Sequence, residues 1–443
     1  MRIVRGVEEG RELLLRRLSL EAPDLPAQVR DDIRRVFGAE LDAAGVVERI
    51  LRDVRRDGDS AVRRYNREID GLPDGAPIEV TRTEIEHAYQ SVEPGTIAAL
   101  EKAANRVRDF HELQLEHSLR SFREDGIGQI VRPIERAGLY VPGTKVVYPS
   151  TVLMLAVPAR VAGVSELSMV TPAAPDGTVS ALKLVAAGTA GVDRIFRAGG
   201  VQGIGALAYG TETVPPVHKI CGPGNIFVTI AKKQLFGEVG VDGIFGPSET
   251  LIVADDLANP DIVAADLLAA AEHDELATSV LITTSTGLAE AANERVEARL
   301  DSLARADVAR ASISVRGGIV IVDSLEDGMA LANEFAPEHM CLHTQHPAEA
   351  LSQVRNAGAV FVGEASVESI GDYTAGPSHV MPTGGNAAYA SPVGVHDFLK
   401  VTSVVSLRQE VVEEVGPPAA IIARAEGLTG HAEAIEARLR DTK

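Results

Sequence analysis

A chain of 443 residues, 45% hydrophobic and 24% charged, has the composition of a soluble globular protein and the length for two or three domains with a sizeable core. A net charge of −20 excludes nucleic acid or an anionic membrane as the main partner, since both require clustered Lys and Arg. With aromatics at 4% and no Trp there is no stacking platform for single-stranded nucleic acid, and two cysteines, Cys221 and Cys341, make neither a disulfide framework nor a four-cysteine zinc site, which points to a reducing cytoplasm.

No apolar run reaches the ~18–20 residues of a membrane span. The longest, TVLMLAVPARVAGV, is broken by Pro158 and Arg160, and Glu8, Glu9 and Glu12 interrupt what would be the apolar part of a signal peptide. Residues 8–70, which include VVERILRDVRRDGDSAVRRYNREI, and residues 83–117 predict solvated helices with narrow apolar stripes. From residue 128 the pattern changes. GQIVRPI and GLYVP read as strands, followed by a helix (STVLMLAVPARVAGV), a strand (LSMVTPA), a helix (VSALKLVAAGTAG) and a short strand (RIFRAGG). A helix after Gly203, the strand-like VHKICGPG and a helix from Asn225 complete the series. A second series runs over 249–363, with strands TLIVAD, SVLITTS, GIVIVDS, HMCLHT and AVFVGE and helices between them. Such alternation predicts an α/β fold with two largely parallel, Rossmann-like sheets and a site in the crevice at the carboxyl ends of the strands. After Gly371 the chain is Gly/Pro-rich, and it ends in a helix from Glu426 to Asp441. That tail is too small to fold alone and should dock on its own chain or on a neighbour.

Residues 261–273 (DIVAADLLAAAEH) read as a helix with Asp261 at its positive end. Val263, Leu267, Ala270 and Ala271 share its buried side, and His273 ends the run with Ala270 one turn before it. A histidine there is a metal ligand, an acid/base group or a cap. Glu338-His339, in FAPEHM, opens a strand, where neighbouring side chains point oppositely. Both reach one pocket only if the backbone turns, and Pro337 makes a turn plausible. Together they suit water activation and proton relay. Asp372, His379 and His431 join His273 in a scattered set that can form a zinc shell in three dimensions, although spacing alone does not establish it. RAGGVQGIG opens a helix and suits phosphate, but its glycines at 199, 200, 203 and 205 are not the dinucleotide fingerprint. In CGPGN, Asn225 can cap the next helix, and Cys221 reads as a buried small residue.

Together these stretches resemble the histidinol dehydrogenase family. The resemblance runs from residue 128 to the end, through RAGLYVPGT, PSTVLMLAVPARVAGV, AGGVQGIGALAYGT, KICGPGNIFV, GPSETLIVAD, FAPEH, GDYTAGPSHVMPTGG and EGLTGH, and more weakly through the N-terminal helices. It implies a zinc-dependent homodimer that oxidises L-histidinol to L-histidine through a bound aldehyde, reducing two NAD in turn. By motif, Tyr140, Gln202 and Asn225 would contact NAD. Glu338 and His339 would be the acid/base pair, and His273, Asp372 and His431 the zinc ligands. Ser248, His273, His339, Asp372, Glu426 and His431 would meet the substrate, with Glu426 and His431 reaching into the partner's site. The resemblance also implies a helical extension over 1–35, a first α/β domain over 36–139 and 249–393, an NAD-binding α/β domain over 140–248, and a small C-terminal domain over 394–443 that docks on the partner. One position departs from it. The family carries a zinc-ligating Gln one turn before the histidine, in Q-A-E-H, where this chain has Ala270. A methyl group cannot coordinate metal, so three protein ligands remain and zinc is expected to bind more weakly, or with water in the gap. Oxidation of a different small alcohol, or ligand binding without turnover, are the alternative readings.

Overall fold

The computed structural model describes residues 1–14, 25–143 and 146–440. Thr144, which ends the RAGLYVPGT motif, and Asp441, the expected end of the last helix, lie outside them. Contacts divide the chain into one compact unit of residues 1–116 with 134–398 and another of 117–133 with 399–443.

Numbered along the chain, the first unit's larger sheet contains β1 (Arg2–Arg5), β9 (Glu249–Ala254), β10 (Thr278–Thr283), β11 (Gly318–Ile321), β12 (His339–His343) and β13 (Ala359–Val362). All pair in parallel, in the order β1-β11-β10-β9-β12-β13. The strand residues divide by alternation. Ile252, Leu281, Ile319 and Cys341 join one core with Val263 and Leu267 of the helix Pro260–Ala271. Leu251, Val253, Val280, Ile282, Met340 and Leu342 join the other, with Met329 and Phe335 of the helix Leu325–Phe335. A parallel sheet covered on both faces needs such unbroken apolar strands.

The second parallel sheet, in the order β6-β5-β4-β7-β8, contains β4 (Arg136–Tyr140), β5 (Glu166–Thr171), β6 (Arg194–Arg197), β7 (Lys219–Cys221) and β8 (Gly240–Val241). Counted from β4 or from β9, both sheets run 3-2-1-4-5, the doubly wound order that opens a crevice beside the first strand. The two expected α/β blocks are therefore present.

Three elements differ from expectation. Residues 2–5 form a strand rather than part of a helical extension, and pair with β11 from more than three hundred residues away. The helix expected over 261–273 spans Pro260–Ala271, capped by the Asn259 side chain, so His273 stands just beyond its end. The strand expected at GQIVRPI joins no parallel sheet but an antiparallel one in the second unit. In it β14 (Leu399–Val405) pairs antiparallel with β3 (Ile127–Pro133), which also pairs with β2 (Phe122–Glu124). The helices Gln409–Ala425 and Thr429–Arg440 follow. No helix among the described residues is long and apolar enough to cross a membrane.

Candidate active site

Strands β9 and β12 are neighbours, and His339 lies opposite Thr250. The helix Leu325–Phe335 stops at Ala336, which takes a left-handed conformation at φ 49°. This is uncommon for a residue with a Cβ. With Pro337 it turns the chain so that Glu338 and His339 both point inward, with 7% and 4% exposure. Glu338 Oε2 accepts the Glu249 backbone N–H at 3.0 Å and lies 3.8 Å from His339 Nδ1.

The helix Glu368–Tyr373 brings two further carboxylates. Glu368 Oε1 is 3.2 Å from His339 Nδ1, and the Thr250 hydroxyl donates to both Glu368 oxygens, at 3.0 and 2.9 Å. One turn on, Asp372 Oδ2 lies 3.9 Å from His273 Nε2. The Asp372 carbonyl meets His379 Nδ1 at 2.7 Å, so that nitrogen carries the proton, and His379 Nε2 accepts from the Thr151 hydroxyl at 3.0 Å. The chain thus assembles Glu338, His339, Glu368, Asp372, His273 and His379 at the amino ends of β9 and β12. The expectation of a crevice at the carboxyl ends does not hold for these residues, because Ser248 and Glu249 lead into β9 and Glu338-His339 lead into β12. Ser248 is half-buried there, and its carbonyl accepts the Thr278 N–H at 2.9 Å.

Burial sets the protonation states. It pushes Glu338 and Glu368 well above the usual carboxylate range, and neighbouring carboxylates add to the shift. His339 falls to about 4 through burial, with Asp372 pulling the other way and His273 and His379 adding to the fall. At neutral pH His339 is therefore an uncharged imidazole, the form a base needs. Neither of its ring nitrogens has an aligned hydrogen-bond partner, although the residue is buried. Buried polar atoms left so are rare and mark places where a ligand or water belongs.

An imidazole nitrogen and a carboxylate oxygen 3.9 Å apart, as in His273 and Asp372, are farther apart than a hydrogen bond and suit a shared zinc ion by donor type. Among the described residues no three His, Cys, Asp or Glu side chains converge as a metal-binding group. His431 and Glu426 are exposed on the second unit. Ala270 is 1% exposed, and its carbonyl accepts the His273 N–H at 3.3 Å, so the helix end places the histidine while the methyl adds no donor.

Tyr140 ends β4, and Gln202 and Asn225 follow β6 and β7, at the carboxyl edge of the second sheet. Their polar groups already have partners. The Tyr140 hydroxyl accepts the Gly200 N–H at 3.2 Å. Gln202 Nε2 donates to Asp70 Oδ2 at 2.8 Å and to Asn66 Oδ1 at 3.3 Å. Asn225 caps its helix as expected, accepting the Phe227 and Val228 N–H groups at 3.1 Å. Gly222, beside them, has φ 129°, and an added Cβ would lie 2.1 Å from the Tyr140 carbonyl oxygen, so only glycine lets the two strand ends approach. Cys221 is buried and its thiol pushed well up, consistent with a packing role. Glu368 and Thr250 are the site residues that motif reading missed. The available signal was position, since Glu368 stands one helical turn before Asp372 in ESIGDY.

The family profile described as histidinol dehydrogenase matches residues 35–439. A histidinol dehydrogenase of Deinococcus radiodurans is 48% identical over 443 residues, covering 99% of this chain and 100% of the relative. One of Moorella thermoacetica is 49% identical over 411 residues, 91% of this chain and 97% of its own. A crystal structure of histidinol dehydrogenase from Elizabethkingia anophelis superposes with a TM-score of 0.89 at 32% identity, covering 99% of this chain and 98% of the other. With both α/β sheets and the buried Glu338-His339 pair in place, these matches show that the chain belongs to the histidinol dehydrogenase family and is an oxidoreductase of that type.

Proposed function

We propose that the chain carries out the four-electron oxidation of L-histidinol to L-histidine, in histidine biosynthesis, with NAD as hydride acceptor and zinc at the site. The observation that carries this reading is the uncharged, buried His339 ring, flanked by Glu338 and facing the His273–Asp372 pair. A group meant to take a proton from an alcohol must be neutral and near its target. His339 takes the hydroxyl proton of histidinol on a ring nitrogen as hydride leaves the carbon, giving an aldehyde that stays bound. Glu338, once ionised, is a stronger base than an exposed carboxylate. It takes a proton from water as the water adds to the aldehyde, and the resulting hydrate loses the second hydride.

His273 and Asp372 would hold zinc, with His431 of a second copy as third ligand. Zinc supplies Lewis acidity, which lowers the pKa of a coordinated alcohol. NAD, the hydride acceptor, would contact Tyr140, Gln202 and Asn225. Ser248 and Glu426 would position the substrate. A homodimer with shared sites accords with the second unit, whose buried core among the described residues is Ala420, Ala423 and Ala432 with Ile435 against them. Two buried free thiols accord with a cytoplasmic setting.

Absorbance of NADH with L-histidinol tests the reading, in zinc-supplemented and in chelator-treated protein. Two NADH per histidinol, dependent on zinc, is the expected outcome. No NADH in either state removes the reading. Ala270 favours one alternative, a different small alcohol, because a methyl stands where the family carries a donor. Turnover of another alcohol in a substrate panel, with none of histidinol, selects it.

A further inference from the structure

We propose that Glu368 is the positioning residue behind His339, turning ring atom Nε2 toward the substrate and accepting the Nδ1 proton as Nε2 takes the proton of the alcohol. This inference rests on the reading of His339 as the base and adds a residue to it.

Two carboxylates lie on the Nδ1 side of the ring, at 3.2 Å for Glu368 and 3.8 Å for Glu338. The nearer has the better claim to the Nδ1 proton, and Glu338 Oε2 already accepts the Glu249 N–H. Glu368 is itself held in place. The Thr250 hydroxyl bridges its two oxygens, Cys341 Sγ lies 4.0 Å from Oε2, and residue and partners are buried. The Phe361 ring lies beside the imidazole, tilted, at 5.8 Å between centroids. Nδ1 therefore faces fixed carboxylates, and Nε2 remains to meet the alcohol. A carboxylate fixed behind an imidazole selects its tautomer and orientation.

The proton transfer then has two legs. The substrate O–H bond breaks and the Nε2–H bond forms, leaving the electron pair on the substrate oxygen. The Nδ1–H bond breaks and a Glu368 Oε1–H bond forms, leaving the ring neutral in its other tautomer. No charged imidazolium persists in a site that disfavours one. Geometry supports this direction, since Glu368 Oε1 is the carboxylate oxygen nearer Nδ1, at 3.2 Å against 3.8 Å for Glu338 Oε2. The groups facing Glu368 are Thr250, Cys341, Asp266 and Asp372, and those facing His339 are Glu338, Asp372, His273 and His379.

Glu368→Gln, Glu368→Asp and Glu368→Ala in the full-length, zinc-supplied protein test the inference. With histidinol and NAD, Glu368→Gln is expected to lower kcat by about 10²–10³-fold, with KM within about threefold and a changed pH profile of kcat/KM. Glu368→Asp should regain about tenfold over Gln, and formate should restore turnover to Glu368→Ala in a saturable way. Unchanged kcat in Glu368→Gln overturns the proposal, as does a loss shared by kcat and KM that formate does not rescue. Imidazole ¹⁵N NMR, with a His339→Gln spectrum for assignment, supplies a readout independent of turnover. The Nδ1–H tautomer is expected in the wild type and a mixture in Glu368→Ala. The same tautomer in both overturns the proposal even if the wild type turns over no histidinol, an outcome that would separately remove the reading of function.

Discussion

Asp266 and His343 face each other across the buried side of the larger sheet, with 3.5 Å between Oδ2 and Nε2. Burial lifts Asp266 from 3.8 to about 6 and lowers His343, so both favour their neutral forms. The raised folded pKa of Asp266 means that its share of stability is fully present below about pH 4 and is lost as pH rises through about 6. His343 has the opposite sign, and its share is lost as pH falls below its ordinary value of 6.5. Asp266→Asn is therefore expected to gain about 2–3 kcal/mol at about pH 8 and little at about pH 4.5, read from urea unfolding at both. Ala270 permits a second test at this scale. Restoring a donor one turn before His273, by Ala270→Gln, is expected to tighten zinc about 10–100-fold in competition with a chelator. Equal affinity would show that the position does not reach the metal.

At the scale of elements, the turn after β7 is held from below. Lys232, buried in the helix Ile226–Leu235, pairs with Asp242, donates to the Gly222 carbonyl at 2.9 Å and lies over the Phe245 ring. Asp242 Oδ2 accepts the Gly222 N–H at 2.6 Å. Lys232→Met leaves that carboxylate buried without its cation and is expected to destabilise the fold by about 3–5 kcal/mol, seen as a lower urea midpoint. The end of β12 shows how far such local features can be read. Pro337 in FAPEH signals a turn, and a turn is what lets Glu338 and His339 share a pocket. The residue that takes the left-handed conformation is Ala336, which no propensity would select. The Asn225 cap was legible because it satisfies N–H groups two and three residues away. The pairing of β14 with β3 was not, because the two strands lie far apart in the sequence.

At the scale of the molecule, the described residues of 117–133 and 399–440 bury little apolar surface by themselves. Val405, Ile421 and Ile422 are 72%, 69% and 59% exposed. Exposed apolar side chains that gather on one face mark a surface for a partner. In the proposed reading, a second copy would provide the cover and bring His431 and Glu426 to a site. Sedimentation is expected to give a dimer. Mixed subunits provide the sharper test. His339→Gln and His431→Gln proteins, each inactive, should regain about a quarter of wild-type turnover when refolded together, since half of random dimers then hold one intact site. No recovery would remove the shared-site reading.

The amino-acid sequence by itself determined the alternation of strands and helices, the apolar strands of two covered parallel sheets, the cap at Asn225 and the motifs that carry Glu338, His339, His273 and Asp372. These follow from contacts between residues close in the chain, where periodicity and turn chemistry act. Only the tertiary structure decided that β1 completes the sheet, that Glu338 and His339 stand at the amino ends of β9 and β12, and that Glu368 lies behind His339. It also decided the protonation of the pair, because a glutamate is lifted and a histidine lowered by what surrounds them, and that surrounding comes from strands and helices distant in sequence.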